Sequence, residues 1–154
     1  MHTDILVIGG GPAGMVSALT ARRYHPRKRI LLLKDVEKGV IPCGIPYMFA
    51  RMRAPDDNAV ASTPLEKNGI DVRIDEAVGI GRPDKRVHTR AGAAIGYEKL
   101  ILATGSLPMV PRLPGIEKRG IYPVRKELGY LKGCIEEVRR SEERRVGKEC
   151  RSRW

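Results

Sequence analysis

Ile5-Leu6-Val7-Ile8-Gly9-Gly10-Gly11-Pro12-Ala13-Gly14 runs from a short apolar segment through a glycine loop into a stretch of helix formers. A strand, a tight turn and a helix in that order are what a dinucleotide pyrophosphate needs. Gly9 permits the sharp exit from the strand, Gly11 lets the backbone touch the pyrophosphate, and Gly14 lets helix and strand pack closely. Backbone amides at the helix start then meet negative charge, aided by the helix dipole. A tight structural turn would explain the glycines alone, but not their place between this strand and this helix.

Outward from the loop, the pattern predicts a strand over Asp4 to Ile8 and a helix over Ala13 to Tyr24 that stops at His25-Pro26, where proline removes a donor. Arg29 to Leu33 follows as a strand whose continuous apolar run suits a parallel sheet covered on both faces. These elements make a right-handed βαβ unit with the helix N-terminus at the carboxyl ends of the strands. Further on, a helix is expected over Pro42 to Met52. Another is expected with Thr63 as its cap and Pro64 in its first turn, ended by Asn68-Gly69. Strands are expected at Ile70 to Ile74 and Lys99 to Ala103, with a β excursion formed by Glu76 to Ile80 and Arg86 to Arg90. Prolines 108, 111, 114 and 123 mark a connector, and a final helix runs from Lys126 toward Arg139. The fold class is α/β, a Rossmann-like parallel sheet with a β excursion, truncated at its end.

At 42% hydrophobic and 31% charged residues, the 154-residue chain has a soluble, globular composition, and no run approaches a membrane span. The N-terminus lacks the basic start and long apolar core of a secretory signal, which points to the cytoplasm. Net charge is +11; six basic and three acidic residues lie in 140–154, leaving +8 on the remainder. Such charge would suit nucleic acid or an anionic cofactor. Its dispersal, apart from the cluster Arg22, Arg23, Arg27, Lys28 and Arg29, and the lack of a nucleic-acid module favour the cofactor. Residues 140–154 resemble the in-frame translation of a common sequencing adapter, and are read as a non-native tail outside the fold.

Three cysteines show no pairing or spacing suited to a disulfide framework or a zinc site, and no metal is expected. Cys150 lies in the tail, and Cys134 reads as a half-buried helix thiol. Cys43, in Pro42-Cys43-Gly44-Ile45-Pro46-Tyr47, has two readings: a buried apolar side chain, or a thiolate favoured by the amides of a helix start. After the second strand come Lys34 and Asp35, where an acidic residue ordinarily takes ribose hydroxyls. Either Asp35 takes the ribose, or Lys34 faces phosphate or solvent.

The glycine loop, Cys43-Gly44-Ile45-Pro46-Tyr47, the segment Tyr97 to Ser106 with Ala103-Thr104-Gly105, and the proline-rich exit together resemble the FAD domain of the pyridine-nucleotide disulfide oxidoreductase superfamily. The similarity is to its single-cysteine branch of coenzyme A disulfide reductases, NADH oxidases and polysulfide reductases, and spans residues 4 to about 138. It implies that Gly9, Gly11, Pro12, Ala13 and Gly14 face the FAD pyrophosphate. It likewise places Ala77 and Val78 against adenine, and Ala103, Thr104 and Gly105 over the cofactor. Cys43 matches the redox cysteine, and Tyr47 a residue that helps position substrate.

The implied activity is reduction of a small disulfide, polysulfide or oxygen by NAD(P)H through FAD, with the Cys43 sulfur alternating between thiolate and a mixed disulfide, persulfide or sulfenate. Lys34 departs from the Glu of many relatives, and Pro12 from the His of some water-forming oxidases. The resemblance also implies a homodimeric parent. It divides the chain into a partial FAD domain over 1–110, a connector and helix over 111–139 toward a missing NAD(P)H domain, and the tail, so the chain alone is expected to be inactive. A flavin-free NAD(P)-dependent dehydrogenase would explain the glycine loop but neither later motif; a non-catalytic nucleotide-binding module would rest on charge alone.

Overall fold

The computed structural model describes residues 1–151, with side chains through Ser141. The chain forms two compact units, residues 1–41 with 60–106, and residues 42–59 with 107 onward.

The first unit holds strands β1 (His2–Ile8), β2 (Ile30–Lys34), β3 (Gly39–Val40), β5 (Asp71–Ile74), β6 (Ala77–Gly81), β7 (Arg86–Thr89) and β8 (Ala94–Leu102), with helices α1 (Pro12–Tyr24) and α3 (Thr63–Lys67). The two-residue strand β4 (Ala59–Val60) lies where the chain passes into it. Six strands make one sheet in the order β5-β2-β1-β8-β7-β6. β1 runs parallel to β2 and β8, and β2 parallel to β5, whereas β7 pairs antiparallel with β6 and β8.

Period-two geometry sends successive side chains of β1 and β2 to opposite faces, so their unbroken apolar runs demand a cover on each. On one face Ile5, Val7, Ile30 and Leu32 pack with Ala18 of α1 and Leu65 of α3. On the other, Leu6, Ile8, Leu31 and Leu33 pack with Val87, Ile95 and Tyr97 of the antiparallel strands. The β excursion is therefore the second layer of the core. Each large side chain so buried contributes about 1.5–3 kcal/mol.

Part of the basic cluster serves this unit internally. The Arg22 guanidinium donates to the carbonyls of Pro26 and Lys28, both at 2.8 Å, and of Asn68 and Gly69 at 3.0 and 2.6 Å. Lys28 pairs with Glu98 at 2.8 Å. Arg22 thus satisfies carbonyls of the loops just past α1 and α3, and both charges link separate elements.

The second unit contains a 3₁₀ turn at Pro42–Gly44, α2 (Ile45–Ala50), a second 3₁₀ turn at Pro55–Asn58, and α4 (Leu128–Arg151). Lys132 pairs with Asp56 at 2.6 Å, holding the second turn to α4. Among the described side chains of α4, Leu131, Cys134 and Ile135 are buried, so Cys134 is more enclosed than the half-buried thiol expected.

Four boundaries differ from the sequence expectations. The helix expected over Pro42 to Met52 is split into the 3₁₀ turn and α2, with Pro46 in the first turn of α2, where its missing donor costs nothing. Ser62, not Thr63, caps α3, and its hydroxyl accepts from Lys34 instead of making a side-chain cap. β8 begins at Ala94, five residues before the expected strand, because its first half pairs with β7 and its second with β1. Finally, α4 continues to Arg151, so most of the segment set aside as a tail is helical, in keeping with its Arg- and Glu-rich composition. Residues 152–154 lie outside the described residues.

Asp75 ties the turn after β5 to the hairpin between β7 and β8. Its Oδ1 accepts from the amides of Glu76 at 2.9 Å and Ala91 at 3.2 Å. The Thr89 hydroxyl, those amides and the Arg73 guanidinium hold the carboxyl below the usual range, against the opposing effect of desolvation. A carboxyl with a depressed folded-state pKa contributes stability above its unfolded pKa and loses it as pH falls through the folded value. Asp75→Asn is expected to lower the melting temperature at neutral pH and to flatten the acid limb of stability against pH. Calorimetric melts from pH 7 down to acid unfolding measure both.

Candidate functional site

Register brings the cofactor motifs to one end of the sheet. Ile8 sits opposite Leu33 on β2 and Leu102 on β8. Gly9 therefore leaves the sheet between Lys34 and Ala103. The Gly9 amide donates to the Leu33 carbonyl at 2.8 Å, and the Ala103 amide to the Ile8 carbonyl at 2.8 Å. Asp75 continues the row, its amide donating to the Lys34 carbonyl at 2.8 Å.

Each glycine in the loop has a separate steric reason. Gly9 has φ +117°, and a Cβ there would lie 2.1 Å from the Ala103 carbonyl oxygen. A Cβ on Gly14 would lie 1.9 Å from the Gly9 oxygen, so strand and helix meet backbone to backbone. At Gly11 a Cβ would meet nothing within 4 Å. Packing does not require glycine at that position, and the space in front of it is open.

Gly11 is also the cap residue of α1, without a side chain to accept the first amides, and Pro12 follows at the first helical position. No acidic residue stands in that first turn. The Ala13 and Gly14 amides thus lack intrahelical acceptors and carry the positive end of the dipole. Pro12 and Ala13 are exposed and Gly14 is buried. Open space, orphan donors and a positive helix end fit the pyrophosphate of FAD.

Across the same end, Asp35 is exposed just past β2, and Thr104 and Gly105 are exposed past β8, with Ala103 half-buried. Ala77 is half-buried against the second face of the core, while Val78 is 54% exposed. Lys34 does not face solvent, which corrects that alternative: the residue is 6% exposed and its Nζ donates to the Glu37 carbonyl at 2.7 Å and the Ser62 hydroxyl at 2.5 Å. Its burial pulls the ammonium pKa below that of an ordinary lysine, with Glu37 and Glu66 acting in the opposite sense.

Cys43 and Tyr47 belong to the second unit. Cys43 is exposed within the 3₁₀ turn, which excludes the reading as a buried apolar side chain, and Tyr47 is 54% exposed on α2. Sequence reasoning missed Asn58, which is 1% exposed and supports this turn. A Cβ on Gly44 would lie 2.0 Å from Asn58 Oδ1, and Asn58 Nδ2 donates to Met48 Sδ at 3.1 Å. The glycine after Cys43 thus makes room for a buried amide. Its only sequence signal was that glycine. No cluster of His, Cys, Asp or Glu that could hold a metal occurs among the described residues.

The family model for pyridine nucleotide-disulphide oxidoreductases matches residues 3–143. The chain belongs to that family. FAD and NAD(P)H are the family's cofactors. Among its relatives is the NAD(P)H coenzyme A polysulfide/persulfide reductase of Pyrococcus horikoshii, 28% identical over 79% of this chain and 28% of the relative. The NADH oxidase of Lactococcus lactis subsp. cremoris is 31% identical over 77% of this chain and likewise 28% of its own length. The solved sulfide:quinone oxidoreductase of Aquifex aeolicus superposes with a TM-score of 0.75 at 25% identity, covering 90% of this chain and 32% of that one. The chain thus spans less than a third of the length of these relatives.

The two glycine contacts separate folding from binding. Gly14→Ala forces a backbone clash and is expected to cost about 2–3 kcal/mol or prevent folding. Gly11→Ala enters open space at a φ of −78° that any residue adopts, so stability should stay within about 0.5 kcal/mol. The same substitution should weaken dinucleotide binding. Denaturant melts and FAD titration of both variants test the division.

Proposed function

We propose that this chain is the FAD-binding part of an NAD(P)H-dependent reductase acting on a small disulfide, a polysulfide or oxygen, with Cys43 as its redox thiol. The observation that carries the reading is the open cradle at Gly11 between Gly9 and Gly14, sterically required on both sides of it and free of protein in front. When bound, FAD would accept a hydride from NAD(P)H and pass two electrons to the oxidised Cys43 sulfur.

The chain's own residues would divide the work as follows. The Ala13 and Gly14 amides hold the pyrophosphate, while Asp35 takes the ribose hydroxyls. Backbone at Ala77 and Val78 borders adenine, and Ala103, Thr104 and Gly105 border the rest of the cofactor. The Cys43 thiolate attacks one sulfur of the substrate, forming a Cys43 mixed disulfide and releasing the other half as a thiolate. Two electrons then cleave that bond, restoring the Cys43 thiolate and releasing the second half of the substrate as a thiolate; Tyr47 orients the substrate.

The exposed position of Cys43 supports attack on a substrate from solution. The use of one cysteine agrees with a chain whose other described cysteine is buried on α4. We further infer that the parent is a cytoplasmic homodimer whose nicotinamide domain lies outside this sequence, that the chain alone does not turn over, and that residues 140–154 are non-native. No helix among the described residues is long and apolar enough to cross a membrane.

Purified chain incubated with FAD and desalted is expected to keep visible bands near ~450 nm. At a hundredfold excess of FAD over its dissociation constant, melting should reflect about 2.7 kcal/mol of added stability. A colourless, folded sample that binds nicotinamide nucleotides instead would favour a flavin-free dehydrogenase. In a longer protein carrying the nicotinamide domain, Cys43→Ser should retain flavin and lose disulfide reductase turnover; sustained turnover would refute the thiol mechanism.

A further inference from the structure

Lys34 occupies the end of β2, where a nucleotide-binding sheet ordinarily presents an acid to ribose. Its ammonium is already engaged by the Glu37 carbonyl and the Ser62 hydroxyl, and the residue is 6% exposed. The methylene stem lies over Gly10, where a Cβ would come within 2.7 Å of Lys34 Cδ and 2.9 Å of its Cβ. One side chain thus joins the glycine loop, the turn after β2 and the cap of α3. Its neighbour Asp35 stays exposed at the same strand end.

We propose that Lys34 is a positioning residue, an internal clamp that holds the glycine loop and the turn after β2 in their binding geometry, leaving the ribose to Asp35. The inference rests on the nucleotide-binding reading above. It goes further in assigning the ammonium to protein acceptors rather than to ligand. An acid at position 34 would not recover a ribose contact: it would set a carboxylate against the Glu37 carbonyl, two acceptors without a donor between them.

The test titrates ADP and 2′-deoxy-ADP into the full chain and its variants by calorimetry, with amide hydrogen exchange recorded without ligand. Lys34→Met keeps the packed stem and removes the charge. It is expected to weaken both probes about tenfold while preserving the preference for ADP, and to speed exchange at Gly10 and Gly11 by about tenfold. Asp35→Asn should instead abolish the preference for ADP and leave exchange unchanged. Lys34→Glu should bind both probes more weakly than the unmutated chain.

Loss of the ADP preference in Lys34→Met would show direct ribose contact and overturn the clamp, as would tighter binding by Lys34→Glu. Unchanged affinity and unchanged exchange in Lys34→Met would overturn it as well. Failure of the unmutated chain to bind either probe would refute the nucleotide reading, while the exchange rates still decide whether Lys34 holds the loop. If Lys34→Met does not fold, Ser62→Ala removes one acceptor of the clamp and must show the faster Gly10 exchange for the proposal to stand.

Discussion

At Gly9 two backbones come so close that a single added carbon would lie 2.1 Å from the Ala103 carbonyl oxygen. That approach depends on β1 lying between β2 and β8, with Ile8 opposite both Leu33 and Leu102. Once the register is set, the chain after each strand must emerge at the same edge. The glycine loop, the Lys34-Asp35 pair and Ala103-Thr104-Gly105 are neighbours for this reason, although they are distant in sequence. Gly14 repeats the constraint one turn into α1, whose first amides are thereby brought to the sheet edge.

Burial on both faces holds that register. A one-residue slip of β2 would carry Leu31 and Leu33 to the helical face and Ile30 and Leu32 to the face under the β excursion, disturbing two packed layers at once. The excursion is thus more than an insertion between strands. Val87, Ile95 and Tyr97 supply the layer that a second helix would otherwise provide. Asp75 fastens its start to the β7–β8 hairpin through the Ala91 amide, near the edge where the cofactor motifs gather.

Charge is used sparingly within the fold. Arg22 donates to backbone carbonyls and Lys28 pairs with the Glu98 carboxylate, so part of the basic cluster has a structural role within the first unit. Lys34 lies deeper, and desolvation weakens its hold on the proton while the charges of Glu37 and Glu66 oppose that loss. The names of the relatives range from polysulfide/persulfide reductase to NADH oxidase and sulfide:quinone oxidoreductase. Such diversity on one dinucleotide-binding frame is what grafting of different acceptor sites onto a shared fold produces.

Read alone, the sequence determined the βαβ start, the glycine turn, the excursion and the family, because each depends on short-range rules. Glycines have fixed steric uses at a strand-to-helix turn, and an unbroken apolar run has few alternatives to a buried parallel strand. Tertiary structure alone decided what lay between those motifs. Gly96 and the small residues at the start of β8 carried little strand signal, and the strand forms there because β7 and β1 supply partners in succession. Ser62 was hidden behind Thr63 since both can cap, and the first helical bond, from the Glu66 amide to the Ser62 carbonyl, distinguishes them. Asn58 drew no reading and Lys34 was left between phosphate and solvent, because Gly44 and Gly10, against which they pack, come from other stretches of chain. A polar residue's fate depends on the acceptors that folding brings to it, and those contacts have no local signature.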